Sequence, residues 1–166
     1  IPVRGDKLAL LELSAKNAKE FHFHSIKQRE HTDPDAFRLS VMEDLRKALG
    51  MKELPVHMEC FDNSNIQGTN PVASCVVFRD CKPSKKEYRH FKIKTVVGAN
   101  DFASMKEVLN RRYSRMMAEG EELPDLIVVD GGKGQLHSAI EALQELGIED
   151  SIKIVGLAKR MEEIID

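Results

Sequence analysis

Two aspartates stand where a sheet could present them together. Asp62 closes Val56-His57-Met58-Glu59-Cys60-Phe61-Asp62, a short and mostly apolar run followed by the polar Asn63-Ser64-Asn65. Asp130 closes Leu126-Ile127-Val128-Val129-Asp130, a continuous apolar run that stops at Gly131-Gly132. If the two runs are parallel neighbouring strands, both carboxylates emerge at the C-terminal edge, where open α/β sheets take their ligands. Adjacent carboxylates ionise together cheaply only with a cation between them. Hard oxygen donors on a shallow edge suit Mg²⁺ or Mn²⁺, which lower the pKa of bound water and offset charge on a phosphodiester under attack. Asp is also a common turn or cap residue after strands, and that reading stays open.

Gly131-Gly132-Lys133-Gly134-Gln135 is a glycine-rich strand-to-helix turn whose amides could approach a phosphate. It has neither the G-x-x-x-x-G-K-[ST] nor the G-x-G-x-x-G spacing, so no nucleotide cofactor is expected. A nucleic-acid phosphate and a purely structural tight turn fit it equally. The formal net charge of −2 conceals a strong asymmetry. Residues 82–115 hold 10 basic and 3 acidic side chains, whereas residues 116–166 hold 4 and 12. Lys82, Lys85, Lys86, Arg89, Lys92 and Lys94 surround an expected hairpin, and Lys106, Arg111, Arg112 and Arg115 lie on an expected helix. Such a block tracks a phosphate backbone with little base reading, or it only keeps the surface solvated. His57, His90 and His137 occupy no position that marks an acid or base. Ser64, Ser104 and Cys60 lack a nucleophile elbow, so covalent catalysis has no support.

These residues need elements to hold them. Leu8, Leu11, Ala15, Ala18 and Phe21 recur at helical steps, and Asp33 with Pro34 opens a second helix that Gly50 ends. His22, His24 and His31 accompany the first helix with no carboxylate or Cys to complete a metal set. Three strands follow, at residues 56–62, 72–78 and 88–96, with a turn at Asp80-Cys81-Lys82-Pro83. In the third, Arg89, Phe91, Ile93 and Thr95 alternate with Tyr88, His90, Lys92 and Lys94. Asn100-Asp101 starts a long helix with the stripe Phe102, Met105, Leu109, Arg112/Tyr113 and Met116. Then come the Asp130 strand, a helix through Leu136, Ala139, Leu143 and Leu146, and a last strand at residues 152–157, with Lys159-Arg160 just past it. The expected fold is α/β: two N-terminal helices, then an antiparallel three-strand meander and parallel strands in one mixed sheet with helices on both faces.

The 166 residues are 42% apolar and 31% charged, a globular balance with no apolar run long enough to span a membrane. Three Cys without a CxxC pair, and no signal-like start, point to a reducing, cytoplasmic setting. The absence of an initiator Met suggests a segment of a longer protein.

Glu59-Cys60-Phe61-Asp62, Ile66-Gln67-Gly68-Thr69, Asp101-Phe102-Ala103-Ser104-Met105, Arg111-Arg112-Tyr113, Leu123-Pro124-Asp125-Leu126-Ile127, Asp130-Gly131-Gly132-Lys133-Gly134-Gln135 and Gly156-Leu157-Ala158-Lys159-Arg160 resemble, in order and spacing, the C-terminal endonuclease domain of the UvrC family. The resemblance runs from about residue 55 to the C-terminus. Residues 1–54 resemble the helical linker that precedes that domain, and residues 55–166 the RNase H-like nuclease itself. It implies a Mg²⁺- or Mn²⁺-dependent cut in a damaged DNA duplex on the 5′ side of the lesion, in bacterial nucleotide excision repair. A separate module makes the 3′ cut, and UvrB is contacted through regions outside this chain. The family's two site aspartates carry over to Asp62 and Asp130. Its site His lies beyond the Leu-Ala-Lys-Arg segment, and none of the six His here matches it, so cutting by these residues alone is expected to be impaired. By placement, Lys133, Gln135 and Lys159 are expected to hold the scissile phosphate, and Arg111 with Arg112 to clamp the flanking backbone. Two departures stand out: Asn65 where many members have His, and Cys81 in a hairpin turn where Gly is usual, a position that need not have positive φ. The rival expectation is a non-catalytic nucleic-acid-binding module on the same scaffold.

Overall fold

A computed structural model describes residues 4–64, 72–94, 100–158 and 163–165, and the chain divides into two units, residues 1–41 and 42–166. The first unit is helical. Helix α1 (Asp6–Thr32) buries none of its residues, with Leu11 44% and Phe21 76% exposed. Asp33 ends it and opens α2 (Pro34–Ala48), its carboxylate accepting from the Ala36 amide at 3.0 Å. Pro34 sits at the first helical position, where a missing N–H costs nothing. Helix α2 closes with Met51 N–H donating to the Arg46 carbonyl at 2.9 Å, beside Gly50 at φ 63°.

The second unit is built on a seven-stranded mixed sheet. Its strands are β1 (His57–Ser64), β2 (Val72–Arg79), β3 (Lys82–Pro83), β4 (Arg89–Lys92), β5 (Leu126–Asp130), β6 (Lys153–Ala158) and β7 (Glu163–Ile165). They run in the order β3-β2-β1-β5-β6-β7, and β4 continues the β3 edge along β2. The meander is antiparallel, β1, β5 and β6 are parallel, and β7 returns antiparallel to β6. The expected third strand is realised as β4, over Arg89–Lys92, with residues 95 and 96 of that expectation outside the described residues. Lys82–Pro83 of the expected turn pair with β2 as β3. Between the two, Lys85–Glu87 is a turn of 3₁₀ helix, pinned where Glu87 accepts from Arg79 at 2.9 Å and from Ser84 at 2.5 Å. Strand β7 carries only three residues, too short for periodicity to mark it.

The β2–β3 turn corrects one expectation. Asp80 and Cys81 both have positive φ, at 50° and 55°, as a two-residue hairpin loop requires for its twist to match the strands. Cys81 therefore occupies a backbone region that favours glycine.

Helix α3 (Asp101–Glu119) starts as its sequence suggests, Asn100 accepting from the Ala103 amide at 3.1 Å. Helix α4 (Lys133–Leu146) follows β5 after two glycines. The mixed α/β class stands, but α3 and α4 share one face of the sheet instead of dividing between two. Phe61, Ala73, Cys75, Val77, Ile127 and Val129 alternate to that face and form one core with Met105, Leu109, Tyr113 and Leu143. Each fully buried Val, Leu, Ile, Phe or Met side chain among them contributes about 1.5–3 kcal/mol. The alternate residues, Cys60, Asp62, Ser74, Val76, Val128 and Asp130, stay half-buried on the other face.

Candidate active site

Strands β1 and β5 begin pairing where the Asp125 carboxylate accepts from the His57 amide at 2.8 Å. From there the parallel register advances evenly to Asp62 opposite Asp130. Neighbouring strands lie about 4.8 Å apart, and residues opposite each other point to the same face. The two carboxylates thus stand side by side near the C-terminal ends of parallel strands, on the face that α3 and α4 leave uncovered. The row continues in both directions: Ser74 on β2 and His90 on β4 beyond Asp62, and Leu157 on β6 beyond Asp130.

Cys60 reports the field at this site. Burial first, then the charges of Asp130 and Asp62, push its thiol up to about 11. Among the described residues no group of three or more His, Cys, Asp or Glu side chains is arranged to hold a metal. Two adjacent carboxylates match Mg²⁺, which keeps several waters and takes one or two carboxylates plus substrate phosphate. The donor set therefore fits Mg²⁺ or Mn²⁺ and does not fit a closed zinc site.

The turn after Asp130 is held from three sides. Gly131 N–H donates to the Leu157 carbonyl at 3.1 Å, and Gly132 N–H to Gln135 Oε1 at 3.0 Å. A Cβ on Gly156 would come 3.2 Å from the Gly131 carbonyl oxygen, and one on Gly134 would come 2.4 Å from the Phe102 ring. Phe102, expected in the core stripe, is 51% exposed because it lies over Gly134 instead.

The family model described as the UvrC RNAse H endonuclease domain matches residues 46–165. The chain belongs to this UvrC family. It is 55% identical over 164 residues to the UvrABC system protein C of Flavobacterium psychrophilum, covering 99% of this chain and 27% of that protein. The corresponding protein of Christiangramia forsetii is 57% identical over 164 residues, covering 99% and 28%. The chain thus spans about a quarter of the length of these relatives. Similar solved structures include an endonuclease V variant of Ciona intestinalis in complex with a DNA containing an inosine followed by a ribo-adenosine (18% identity, TM-score 0.44, 73% of this chain and 55% of that one). Human ENDOV is another (16%, 0.43, 77% and 61%).

Within this UvrC domain the sequence-derived phosphate contacts separate. Lys133 is exposed at the first position of α4, three residues past Asp130. Gln135 caps that helix, so its carbonyl oxygen is already engaged. Lys159 lies outside the described residues. Arg111 reaches back to β4, donating to the Lys92 carbonyl at 2.7 Å and to Glu107 at 2.9 Å.

Arg112 turns inward. Its side chain is 10% exposed and grips the fully buried Glu59 with Nε at 3.2 Å and Nη2 at 2.5 Å. Tyr113 donates to the same carboxylate at 3.0 Å, and His57 lies 3.3 Å from it. Burial pushes the Glu59 carboxyl up, but the hydrogen bonds of His57 and Arg112, the Arg112 charge and the Tyr113 hydroxyl outweigh it and hold it at about 2. Burial likewise pulls the Arg112 guanidinium down, and Glu59 more than restores it. This buried network was missed in the sequence, although Arg112 fell within the apolar stripe of α3 and Glu59 within an apolar strand.

Proposed function

We propose that this chain carries the metal-dependent phosphodiesterase centre of a UvrC-type excision nuclease, with Asp62 and Asp130 as metal ligands. The substrate in this reading is double-stranded DNA carrying a lesion, cut on the 5′ side, within a cytoplasmic repair protein that meets UvrB through other regions. The observation that carries it is the direct pairing of Asp62 with Asp130 on the sheet face opposite α3 and α4. Asp62 and Asp130 would hold a divalent cation there, which would supply water activation and offset charge on the phosphodiester. The Gly131–Gln135 turn keeps Asp130 in place, and Lys133 supplies an exposed cation toward a phosphate oxygen. Membership of an endonuclease family favours this reading over a module that only binds nucleic acid.

Single-turnover cleavage of an end-labelled duplex in Mn²⁺ tests the proposal. Cleavage lost in both Asp62→Asn and Asp130→Asn is expected. Cleavage that survives both substitutions overturns it.

A further inference from the structure

The positive charge of the chain is not where the sequence block alone would put it. All four basic residues of α3 hold carboxylates: Lys106 takes Glu141 and Glu145, Arg111 takes Glu107, Arg112 takes Glu59 and Arg115 takes Glu119. The lysines of the β3–β4 edge and Arg89 are exposed and make no ion pair among the described residues. Charge left unneutralised by the fold is what a polyanion can use.

On β4 that charge has a direction. Phe91 packs on the core, as do Tyr88 and Ile93 to either side of the strand. Strand alternation then sends His90 and Lys92 to the opposite face, the one that carries Asp62 and Asp130. Register places His90 opposite Ser74, Ser74 opposite Asp62, and Asp62 opposite Asp130, a single row across four adjacent strands. At about 4.8 Å per strand, His90 lies about 10 Å from Asp62 along that row. The intervening Ser74 has a short side chain. Lysines on an edge strand also guard against edge-to-edge pairing, but that purpose sets no preference for the aspartate face.

We infer that His90 and Lys92 form a binding subsite for a flanking backbone phosphate of the strand that is cut, holding it in line with the Asp62–Asp130 pair. The inference rests on the proposed function, because the row matters only if a nucleic-acid strand crosses the two aspartates. The imidazole donates an N–H to a phosphate oxygen in either protonation state, and Lys92 adds a charge that the fold has not spent.

The test is anisotropy of a fluorescent oligonucleotide duplex with the 166-residue chain in metal-free buffer across a salt series. The variants are His90→Ala with Lys92→Gln, and Lys82→Gln with Lys85→Gln as a control pair on the same edge outside the row. The subsite predicts a loss of about tenfold in affinity and a salt slope smaller by about one for the first pair, with a clearly smaller loss for the control. Equal losses in the two pairs, or no change in slope for the first, overturn it. Mn²⁺ binding measured on the same His90/Lys92 variant stays at the native value if the row is read correctly. Loss of the subsite effect with intact metal binding therefore sinks this inference alone, whereas metal binding indifferent to Asp62→Asn and Asp130→Asn sinks the function beneath it.

Discussion

Arg112 shows how far a side-chain type can mislead. Its place in a basic block suggested a clamp on DNA, yet the same residue stood in the α3 stripe opposite a strand that contains Glu59. A charge on an apolar helix stripe and an opposite one in an apolar strand can bury each other as a pair, and the structure makes them one. Removing one partner of such a pair leaves an uncompensated buried charge, so Arg112→Leu is expected to cost about 3–5 kcal/mol, read from the urea midpoint. A cost under about 1 kcal/mol would show the contact to be incidental. The pH dependence has a definite sign. Glu59 is held at about 2 in the folded chain, against about 4.3 for an unperturbed Glu, so the unfolded chain binds its proton more readily. Its contribution is complete above the ordinary value and is lost as pH falls through about 2. Urea midpoints between pH 6 and 2.5 should fall more steeply for the native chain than for Glu59→Gln with Arg112→Met; parallel curves would contradict the assignment. Asp62 and Asp130, by contrast, were legible as neighbours, because each closes an apolar run and parallel adjacent strands bring such ends to one edge.

Elements were read well where period and caps agree. Asn100 before α3 and Asp33 before α2 both cap as their types suggest. What escaped was set by tertiary contact. The sharing of one sheet face by α3 and α4 follows from which alternate residues meet, and one-dimensional periodicity does not carry that. The break between β3 and β4 depends on Glu87 finding Arg79 and Ser84. At the β2–β3 turn, left-handed backbone at a non-glycine residue costs about 1–2 kcal/mol, part of which glycine returns as lost chain entropy. Cys81→Gly should therefore raise stability by about 0.5–1 kcal/mol, seen as a higher thermal midpoint; a lower midpoint would mean that the Cys81 side chain contributes more than its backbone costs. Gly156→Ala pushes on the Gly131 carbonyl from β6. Its expected signature is Mn²⁺ affinity reduced severalfold with the far-ultraviolet circular dichroism unchanged. Unchanged affinity would show that the turn relaxes without moving Asp130.

At the scale of the whole molecule, an overall charge near zero says little about partners, because pairing decides which charges remain available. Lys106 and Arg115 are answered by their own carboxylates. Replacing both with Gln should leave the salt slope of DNA binding within about half a unit of native, whereas a drop of two would place DNA on α3. The sheet face opposite α3 and α4 gathers the two paired carboxylates and the β4 edge in line with them, and Lys133 opens α4 three residues past Asp130. The central claim is that Asp62 and Asp130 form one metal site. It is tested most directly by Mn²⁺ titration followed by electron paramagnetic resonance on the native chain, Asp62→Asn and Asp130→Asn. Even an outer-shell change costs about 10–100-fold in metal affinity, so each ligand substitution should cost at least that. Saturable binding lost in both variants is the expected result, and binding indifferent to either substitution would contradict the site.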